Sequence, residues 1–167
     1  MIARVVVAQD IEKARAVAER LAEERHNLMS EQSTTPDPIA RSRALLEATN
    51  RGDLDAMMGF YAPDSIWDSP PLGTSFEGVE AIRRFYEDWM STYDELEFEL
   101  EEILDLGHGV TFAVARQDAR PVGSTGRVRA RLVLVSEWVE GMAVRVTVYY
   151  DIDEAGATAE RLAELRG

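Results

Sequence analysis

Hydrophobic and polar residues follow two different periods along this chain. In residues 39–61 and again in residues 79–93, apolar side chains recur every three or four positions, which is the spacing of one helix face. Beyond Leu96 the period falls to two, which is typical of strands that bury one face. Helices followed by strands predict an α+β domain, in which three helices cover the concave face of a curved, mostly antiparallel sheet.

The predicted elements are separated by stop signals. Asn50-Arg-Gly52 ends the first of these helices, Pro70-Pro71 ends the first strand, and Glu140-Gly141 makes a tight hairpin. Residues 73–78 are predicted to form a loop. The helices are predicted at Ile39–Asn50, from a cap at Asp53 to Tyr61, at Val79–Tyr93 and at Ala157–Leu165, and the strands at Ser65–Ser69, Leu96–Leu106, Val110–Asp118, Arg127–Val139 and Ala143–Asp151.

The N-terminal part of the chain differs from the rest. A further helix is predicted at Ile11–Arg25, and a polar stretch with two prolines, Ser30–Pro38, follows it as a linker. The chain therefore divides into an extension with its linker, residues 1–37, and a main domain, residues 38–167. Met29 and the polar residues after it are typical of a bacterial N-terminus, so the residues before it are either an incorrectly assigned start or a loosely attached extension. No functional residue is predicted there.

Composition narrows the classes of partner. The chain of 167 residues carries 18 basic and 31 acidic residues, for a net charge of -13, which disfavours nucleic acid and anionic membranes as partners. It has no cysteine and two histidines, so disulfides, thiolate catalysis and a histidine-rich metal site are not expected. The apolar runs are too short to span a membrane, and the start lacks a signal-peptide layout. These features predict a cytoplasmic protein without a bound metal.

The charge is also segregated along the chain. Residues 87–105 contain nine acids and no base, whereas residues 116–131 contain five bases and one acid. We expect the acidic stripe to face the basic strand, either within one sheet or across a dimer.

Three segments together resemble a known family. They are Asn50–Pro70, Phe76–Tyr86 with its Glu-Gly-Val-Glu-Ala-Ile-Arg-Arg run, and Ser136-Glu-Trp-Val-Glu-Gly141 followed by Val146–Asp151. They are similar to the SnoaL-like branch of the nuclear transport factor 2-like superfamily, and the likeness covers roughly Pro38–Gly167. The resemblance implies a cone-shaped domain whose cavity, between the concave sheet face and the helices, binds a small apolar molecule without a cofactor. Relatives include ketosteroid isomerase, polyketide cyclases and limonene epoxide hydrolase, so the fold alone does not name a reaction.

The isomerase branch uses an aspartate directly before a proline as its general base. Ser69 occupies that position here, and Asp68 stands one residue earlier. A slip of one residue turns a strand side chain to the opposite face, unless a bulge next to the prolines corrects it. The positions of the isomerase's other two polar groups correspond to Leu45 and about Ser136. The resemblance therefore does not imply steroid isomerase chemistry.

Arg116-Gln-Asp118 resembles the Arg-x-Asp spacing of limonene epoxide hydrolase, in which the aspartate protonates the epoxide. Side chains two residues apart on a strand share a face, so Arg116 would hold Asp118 and set its pKa. The second acid of that enzyme falls at Val148 here. The alternative is an ordinary surface ion pair at the end of a strand.

These considerations predict a candidate site. Asp118, Arg116 and Asp68 are the predicted catalytic residues of a cofactor-free isomerase, cyclase, dehydratase or hydrolase. The alternatives are a ligand-binding protein without catalysis and a dimerisation module of the same fold. The predicted cavity and substrate-binding residues are Trp67, Ser69, Phe112, Trp89, Ser136 and Trp138.

A homodimer is predicted from the outer face of the sheet. If Leu132, Leu134, Ser136 and Trp138 face the cavity, the alternate residues of the same strand face outward. Two of these, Val133 and Val135, would be exposed to water unless another surface covered them. We therefore expect a second copy to dock there, next to Arg129 and Arg131.

Overall fold

The structure, a computed structural model, describes residues 2–28 and 36–151. Four α-helices and six strands make up most of this part of the chain. The helices are α1 (Ile2–Leu28), α2 (Pro38–Asn50), α3 (Leu54–Met58) and α4 (Val79–Met90). The strands are β1 (Tyr61–Ser69), β2 (Thr74–Glu77), β3 (Tyr93–Asp105), β4 (Val110–Pro121), β5 (Val128–Val139) and β6 (Met142–Asp151). The helix predicted at Ala157–Leu165 lies outside the described residues.

The six strands form one sheet in the order β2-β1-β6-β5-β4-β3. All neighbouring strands are antiparallel except β1 and β6, which run parallel and are brought together by the long crossover through the rest of the chain. Helices α2 and α4 contact the strands on the concave side, and α3 packs against both of these helices. The predicted α+β fold, with helices over the concave face of a mostly antiparallel sheet, is confirmed.

The predicted boundaries differ most from the observed ones at β1 and β2. Strand β1 begins at Tyr61, where a helix was predicted to continue, because α3 stops at Met58 and Gly59 follows it. The segment predicted to be a loop contains β2, whose Phe76 lies opposite Trp67 of β1. That pairing joins two aromatic side chains on the cavity face, which short-range sequence signals do not reveal.

Hydrophobic residues are buried on both faces of the sheet. The larger cluster lies between the concave face and the helices and includes Met57, Trp67 and Ile82. A second cluster lies on the convex face, where Phe112 and Val133 pack beneath α1. The sheet is therefore the middle layer of three.

Helix α1 covers the convex face with a row of small side chains. Ala14, Ala18 and Ala22 are buried against Val133 and Val135, which are each only 1% exposed. Alanines at a spacing of four let the helix backbone approach the strands closely. The extension, expected to be either an incorrectly assigned start or loosely attached, therefore packs on the main domain through α1. The valines expected to be free for a second copy are already covered within the chain. The homodimer itself remains a prediction.

Helix α2 is held in place at both of its ends. Asp37 caps its first turn by accepting a hydrogen bond from the Ile39 N–H (3.0 Å). At its C-terminal end, Asn50 donates to the Phe98 carbonyl (2.9 Å) and accepts from the Phe98 N–H (2.8 Å). The Asn50 side-chain amide thus pairs with both backbone groups of Phe98, as a neighbouring strand would, and fixes the helix over the concave face.

The convex face also carries the paired charges that the sequence predicted. Glu101 of β3 accepts hydrogen bonds from Arg116 of β4 and Arg131 of β5, both at 3.0 Å. Arg127 joins Glu95 and Asp118, both at 2.6 Å. The acidic and basic stripes therefore pair within one sheet, the first of the two arrangements expected.

Candidate functional site

The concave face and the helices enclose a cavity of about 80 Å³. One water needs roughly 10–15 Å³ of such space, so the cavity holds several waters or a small organic molecule. Its wall is mostly aliphatic and aromatic, and all three tryptophans of the chain contribute to it. The polar side chains in the wall are hydroxyl groups and indole N–H groups, and among the described residues that line the cavity none is charged. The residues of the wall are Ser42, Leu45, Leu46, Thr49, Tyr61, Trp67, Phe85, Tyr86, Trp89, Phe98, Leu100, Ile103, Ala113, Ala115, Leu132, Leu134, Ser136, Trp138, Val148 and Tyr150.

Two buried tyrosines form the principal polar feature of the cavity. Tyr61 at the start of β1 and Tyr86 on α4 share a hydrogen bond between their hydroxyl oxygens (3.1 Å). Burial raises the pKa of Tyr61 well above its usual value, and the neighbouring Tyr86 raises it further. Burial also raises the pKa of Tyr86, an effect partly offset by Tyr61 and by the nearby Trp67 indole. Both phenols are therefore protonated at neutral pH and can donate hydrogen bonds.

The indole of Trp67 lies edge-on to the Tyr86 ring, with 6.4 Å between the ring centroids. Its N–H is close enough to stabilise the Tyr86 phenolate, but it makes no hydrogen bond of good geometry within the described residues. The Phe85 and Phe76 rings stack against each other beside it, at 4.7 Å between centroids. Trp67 therefore has a buried donor in an aromatic environment, and the Tyr86 hydroxyl lies near it without good hydrogen-bond alignment.

A second group of hydroxyls lies where α2 meets β4. Trp138 donates from its indole nitrogen to the Thr111 hydroxyl (3.1 Å), and Ser42 of α2 shares a hydrogen bond with the same hydroxyl (3.2 Å). Elsewhere in the wall, burial raises the pKa of Tyr150 to about 12, so this phenol also remains neutral. No described group in the wall is ionised at neutral pH.

The predicted catalytic pair lies outside the cavity, which corrects its expected position. Asp118 and Arg116 are on the convex face, because Ala113 and Ala115 are the residues of β4 that face the helices. Asp118 accepts hydrogen bonds from Arg127 (2.6 Å) and Arg129 (3.3 Å). Both residues therefore belong to the charged outer surface, but each is paired with a different residue from the one expected: Arg116 with Glu101, and Asp118 with Arg127 and Arg129.

Asp68 also faces away from the cavity. It accepts hydrogen bonds from Arg145 and from the Thr147 hydroxyl, both at 2.8 Å, on the convex side of β6. Ser69 is buried and donates to the Val148 carbonyl (2.8 Å), so its hydroxyl joins two strands and does not line the cavity. Regular alternation along β1 explains the position of Asp68, since the cavity-facing Trp67 comes directly before it.

The other predicted cavity residues divide into two groups. Trp67, Trp89, Ser136 and Trp138 line the cavity, and their part in binding a ligand remains a prediction. Phe112 does not line it, because this side chain packs beneath α1 on the opposite face, with the guanidinium of Arg15 5.4 Å from its ring centre. The expected cavity position of Phe112 is therefore wrong.

Sequence reasoning missed the tyrosine pair. The sequence pattern predicts Tyr61 at the end of a helix and Tyr86 on an apolar helix face, and neither position indicates a polar contact. The available signal was that a buried tyrosine hydroxyl usually has a hydrogen-bond partner. Two tyrosines predicted on elements that face each other across one cavity satisfy that requirement together.

Asp118 is expected to affect stability in acid without affecting the cavity. Hydrogen bonds from Arg127, the larger cause, and from Arg129 hold the Asp118 pKa below its usual value of 3.8. A lowered carboxyl pKa stabilises the fold above pH 3.8, and this contribution is lost as pH falls through the lower, folded value. The variant Asp118→Asn should therefore flatten the acid limb of the stability curve only slightly, because the ion pairs are partly exposed. Urea unfolding between about pH 2 and pH 6 measures the free energy of unfolding of both proteins. A difference between them that is centred near neutral pH would contradict the prediction.

Within residues 2–28 and 36–151, no helix is long and apolar enough to cross a membrane. In the same part of the chain, no group of three or more histidine, aspartate or glutamate side chains is arranged to hold a metal ion.

Residues 42–156 match the family model of the SnoaL-like domain. No functionally curated protein matches the chain.

Solved structures share the architecture. A proposed SnoaL-like polyketide cyclase from Shewanella denitrificans superposes with a TM-score of 0.64 and 13% identity, covering 77% of this chain and 98% of that one. A proposed ketosteroid isomerase from Kribbella flavida superposes with a TM-score of 0.58 and 18% identity, covering 68% of this chain and 76% of that one. A third structure is a protein from Catenulispora acidiphila with a ketosteroid isomerase-like fold, solved in complex with trimethylamine. It superposes with a TM-score of 0.61 and 14% identity, covering 71% of this chain and 88% of that one. At these identities the likeness shows the fold alone.

Proposed function

Because the chain belongs to the SnoaL-like family, we propose that it binds a small, uncharged, largely apolar molecule in the cavity between the concave sheet face and the helices. The observation that carries this proposal is the cavity wall, which is aromatic and aliphatic with a few neutral hydroxyl and indole groups. Apolar pockets with a small number of placed polar groups are typical of small-molecule sites. A charged ligand would lose its hydration without meeting an opposite charge, which is costly.

The predicted acid–base chemistry finds less support than ligand binding. A general base has to lie within hydrogen-bond reach of the proton that it removes. Asp118 and Asp68, the carboxylates proposed for that role, point away from the cavity and are paired with arginines. Tyr61 and Tyr86 can donate hydrogen bonds and so polarise a bound group, but their raised pKa values make them poor bases. We therefore favour the binding function over the catalytic one.

Filling the cavity tests the proposal. Ala115 lies on the floor of the cavity and is fully buried, so Ala115→Leu places three further carbon atoms in the open space. Affinity for a small neutral aromatic such as indane, measured by calorimetry, should fall about ten-fold or more, because the added side chain occupies the ligand's volume. Stability should change little, since the new atoms enter empty space and displace no existing side chain.

The matched control is Ala62→Leu, the same substitution at a half-buried alanine of β1 outside the cavity wall. It should leave the affinity for indane unchanged. Equal losses of affinity in both variants, or unchanged binding in Ala115→Leu, would show that the ligand binds elsewhere.

A further inference from the structure

An open groove lies outside the cavity, between α4 and the edge strand β2. It has a volume of about 480 Å³ and opens to solvent. Phe76 of β2 forms one side of the groove, and residues spaced three or four apart on α4 form the other, so the groove follows the helix for about two turns. The α4 residues are Ala81, Arg84, Phe85, Asp88 and Trp89.

Phe85 and Trp89 line the groove and the cavity at the same time. They stand four residues apart on α4, so their side chains are neighbours on one face of the helix, and both are half-buried. Their rings are nearly parallel, at an angle of 18° and with 6.2 Å between the centroids. At this place, two aromatic side chains separate the cavity from solvent.

The two rings are not held equally. Phe85 packs against Trp67 with 4.3 Å between the ring centroids, and against Phe76 with 4.7 Å. The described ring neighbours of Trp89 all lie farther away, at 5.7–6.3 Å. Dispersion attraction between rings weakens steeply as the gap between their atoms widens. Trp89 is therefore the ring that can move with the smaller loss of contacts.

A flat molecule needs only a small displacement to pass between these rings. Carbon atoms in contact are about 3.5 Å apart, so a ring inserted between two parallel rings requires about 7 Å between them. The observed 6.2 Å falls short of that spacing by about 1 Å. A rotation of the Trp89 side chain supplies a movement of this size.

We infer that ligands reach the cavity from the groove, by passing between Phe85 and Trp89, and that the Trp89 side chain moves to admit them. This inference rests on the proposed ligand-binding function and adds the route by which the site fills. The route favours flat molecules and sets how fast they bind and leave. Because entry and exit use the same opening, an obstruction there slows both by the same factor and leaves the affinity unchanged.

Obstructing the groove from outside tests the route. Ala81 lines the groove, lies one turn before Phe85 and is outside the cavity wall, so Ala81→Phe places a ring at the entrance. The association and dissociation rates of 5-fluoroindane should both fall about ten-fold, which corresponds to a barrier raised by about 1.4 kcal/mol. The affinity, which is the ratio of the two rates, should change by less than about two-fold. Fluorine NMR exchange spectroscopy gives the rates, and calorimetry gives the affinity.

The matched control is Ala40→Phe, the same substitution at an exposed alanine of α2 that lines neither the groove nor the cavity. It should leave both rates and the affinity unchanged. The comparison separates an obstruction at the entrance from a general effect of an added surface ring.

Removing the movable ring should have the opposite effect. The variant Trp89→Leu keeps an apolar side chain in the wall, and the association rate of 5-fluoroindane should rise about ten-fold because the opening no longer has to be cleared. The affinity also changes in this variant, since Trp89 lines the cavity. A residue that acted only as part of the wall would alter the dissociation rate and leave the association rate as it is.

The outcomes separate the route from the site. If 5-fluoroindane binds but either Ala81→Phe or Trp89→Leu leaves the association rate unchanged, the route is overturned and the cavity remains the ligand site. The route is also overturned if Ala40→Phe slows binding as much as Ala81→Phe does. A loss of affinity in Ala81→Phe with an unchanged association rate would place the ligand in the groove itself. If 5-fluoroindane does not bind, the proposed function fails, and this inference fails with it.

Discussion

Replacing Phe112 by alanine is expected to lower the free energy of unfolding by about 3–5 kcal/mol, the range for removing a buried aromatic ring. Phe112 is fully buried between β4 and α1 and belongs to the convex cluster. The cavity that its loss creates would be on the opposite side of the sheet from the ligand site. Affinity for indane should therefore stay the same at temperatures where the variant is folded. Urea unfolding measures the free energy of unfolding, and calorimetry measures the affinity for indane.

The matched comparison is Phe98→Ala, which removes the same side chain from the cavity face of β3. This variant should lose stability and also change its affinity for indane, because the wall of the cavity is altered. If Phe112→Ala also changed the affinity for indane, the two faces of the sheet would not be independent. Phe112 would then influence ligand binding although it lies outside the cavity.

Replacing Ala18 by glutamate is expected to detach α1 from the sheet. Ala18 is fully buried against the convex cluster, and a carboxylate there would lose its hydration without a partner. We expect a loss of about 2 kcal/mol or more in the free energy of unfolding. The exposed valines, Val133 and Val135, should then promote association of copies, which light scattering after size-exclusion chromatography detects as masses above 18.7 kDa.

The control uses the same substitution two residues away. Ala16 is exposed on the outer side of α1, so Ala16→Glu should change the free energy of unfolding by no more than about 0.5 kcal/mol. It should also leave the mass unchanged. If the unmodified protein and Ala16→Glu are both dimers, the predicted homodimer exists with α1 in place and uses a surface other than the covered valines.

The sequence predicted the layers of the fold well, because the change of hydrophobic period from helix to strand is strong and extends over many residues. It also predicted which residues of β5 share a face. Alternation puts Leu132, Leu134, Ser136 and Trp138 on one face, and all four line the cavity. Alternation was informative there because outward-facing Arg129 and Arg131 marked the other side of the strand.

The same reasoning failed on β4 for a physical reason. Alternation groups Phe112 with Arg116 and Asp118 correctly, but it does not say which group faces the cavity. A strand with one face in water reveals its orientation through polar residues, whereas β4 is buried on both faces over its first half, residues 110–115, since α1 covers the second face there. Without α1, alternation and size favour the large aromatic Phe112 for the cavity wall, whereas the small side chains Ala113 and Ala115 line it.

The tyrosine pair could not have been predicted by counting charges. Carboxylates are the groups on which acid–base chemistry in related proteins depends, and the cavity wall contains none among the described residues. The structure instead places neutral donors in the cavity, and their contact depends on how α4 crosses the sheet. Such an angle is set by packing between elements and is not encoded in any short stretch of sequence.

The location of the tryptophans has a practical consequence. Trp67, Trp89 and Trp138 are the only tryptophans in the chain, and all of them lie in the cavity wall. The tryptophan emission of the protein therefore originates entirely from that wall. The unlabelled protein carries its own optical reporter, whose intensity and colour respond when a molecule enters the cavity or when the cavity fills with water.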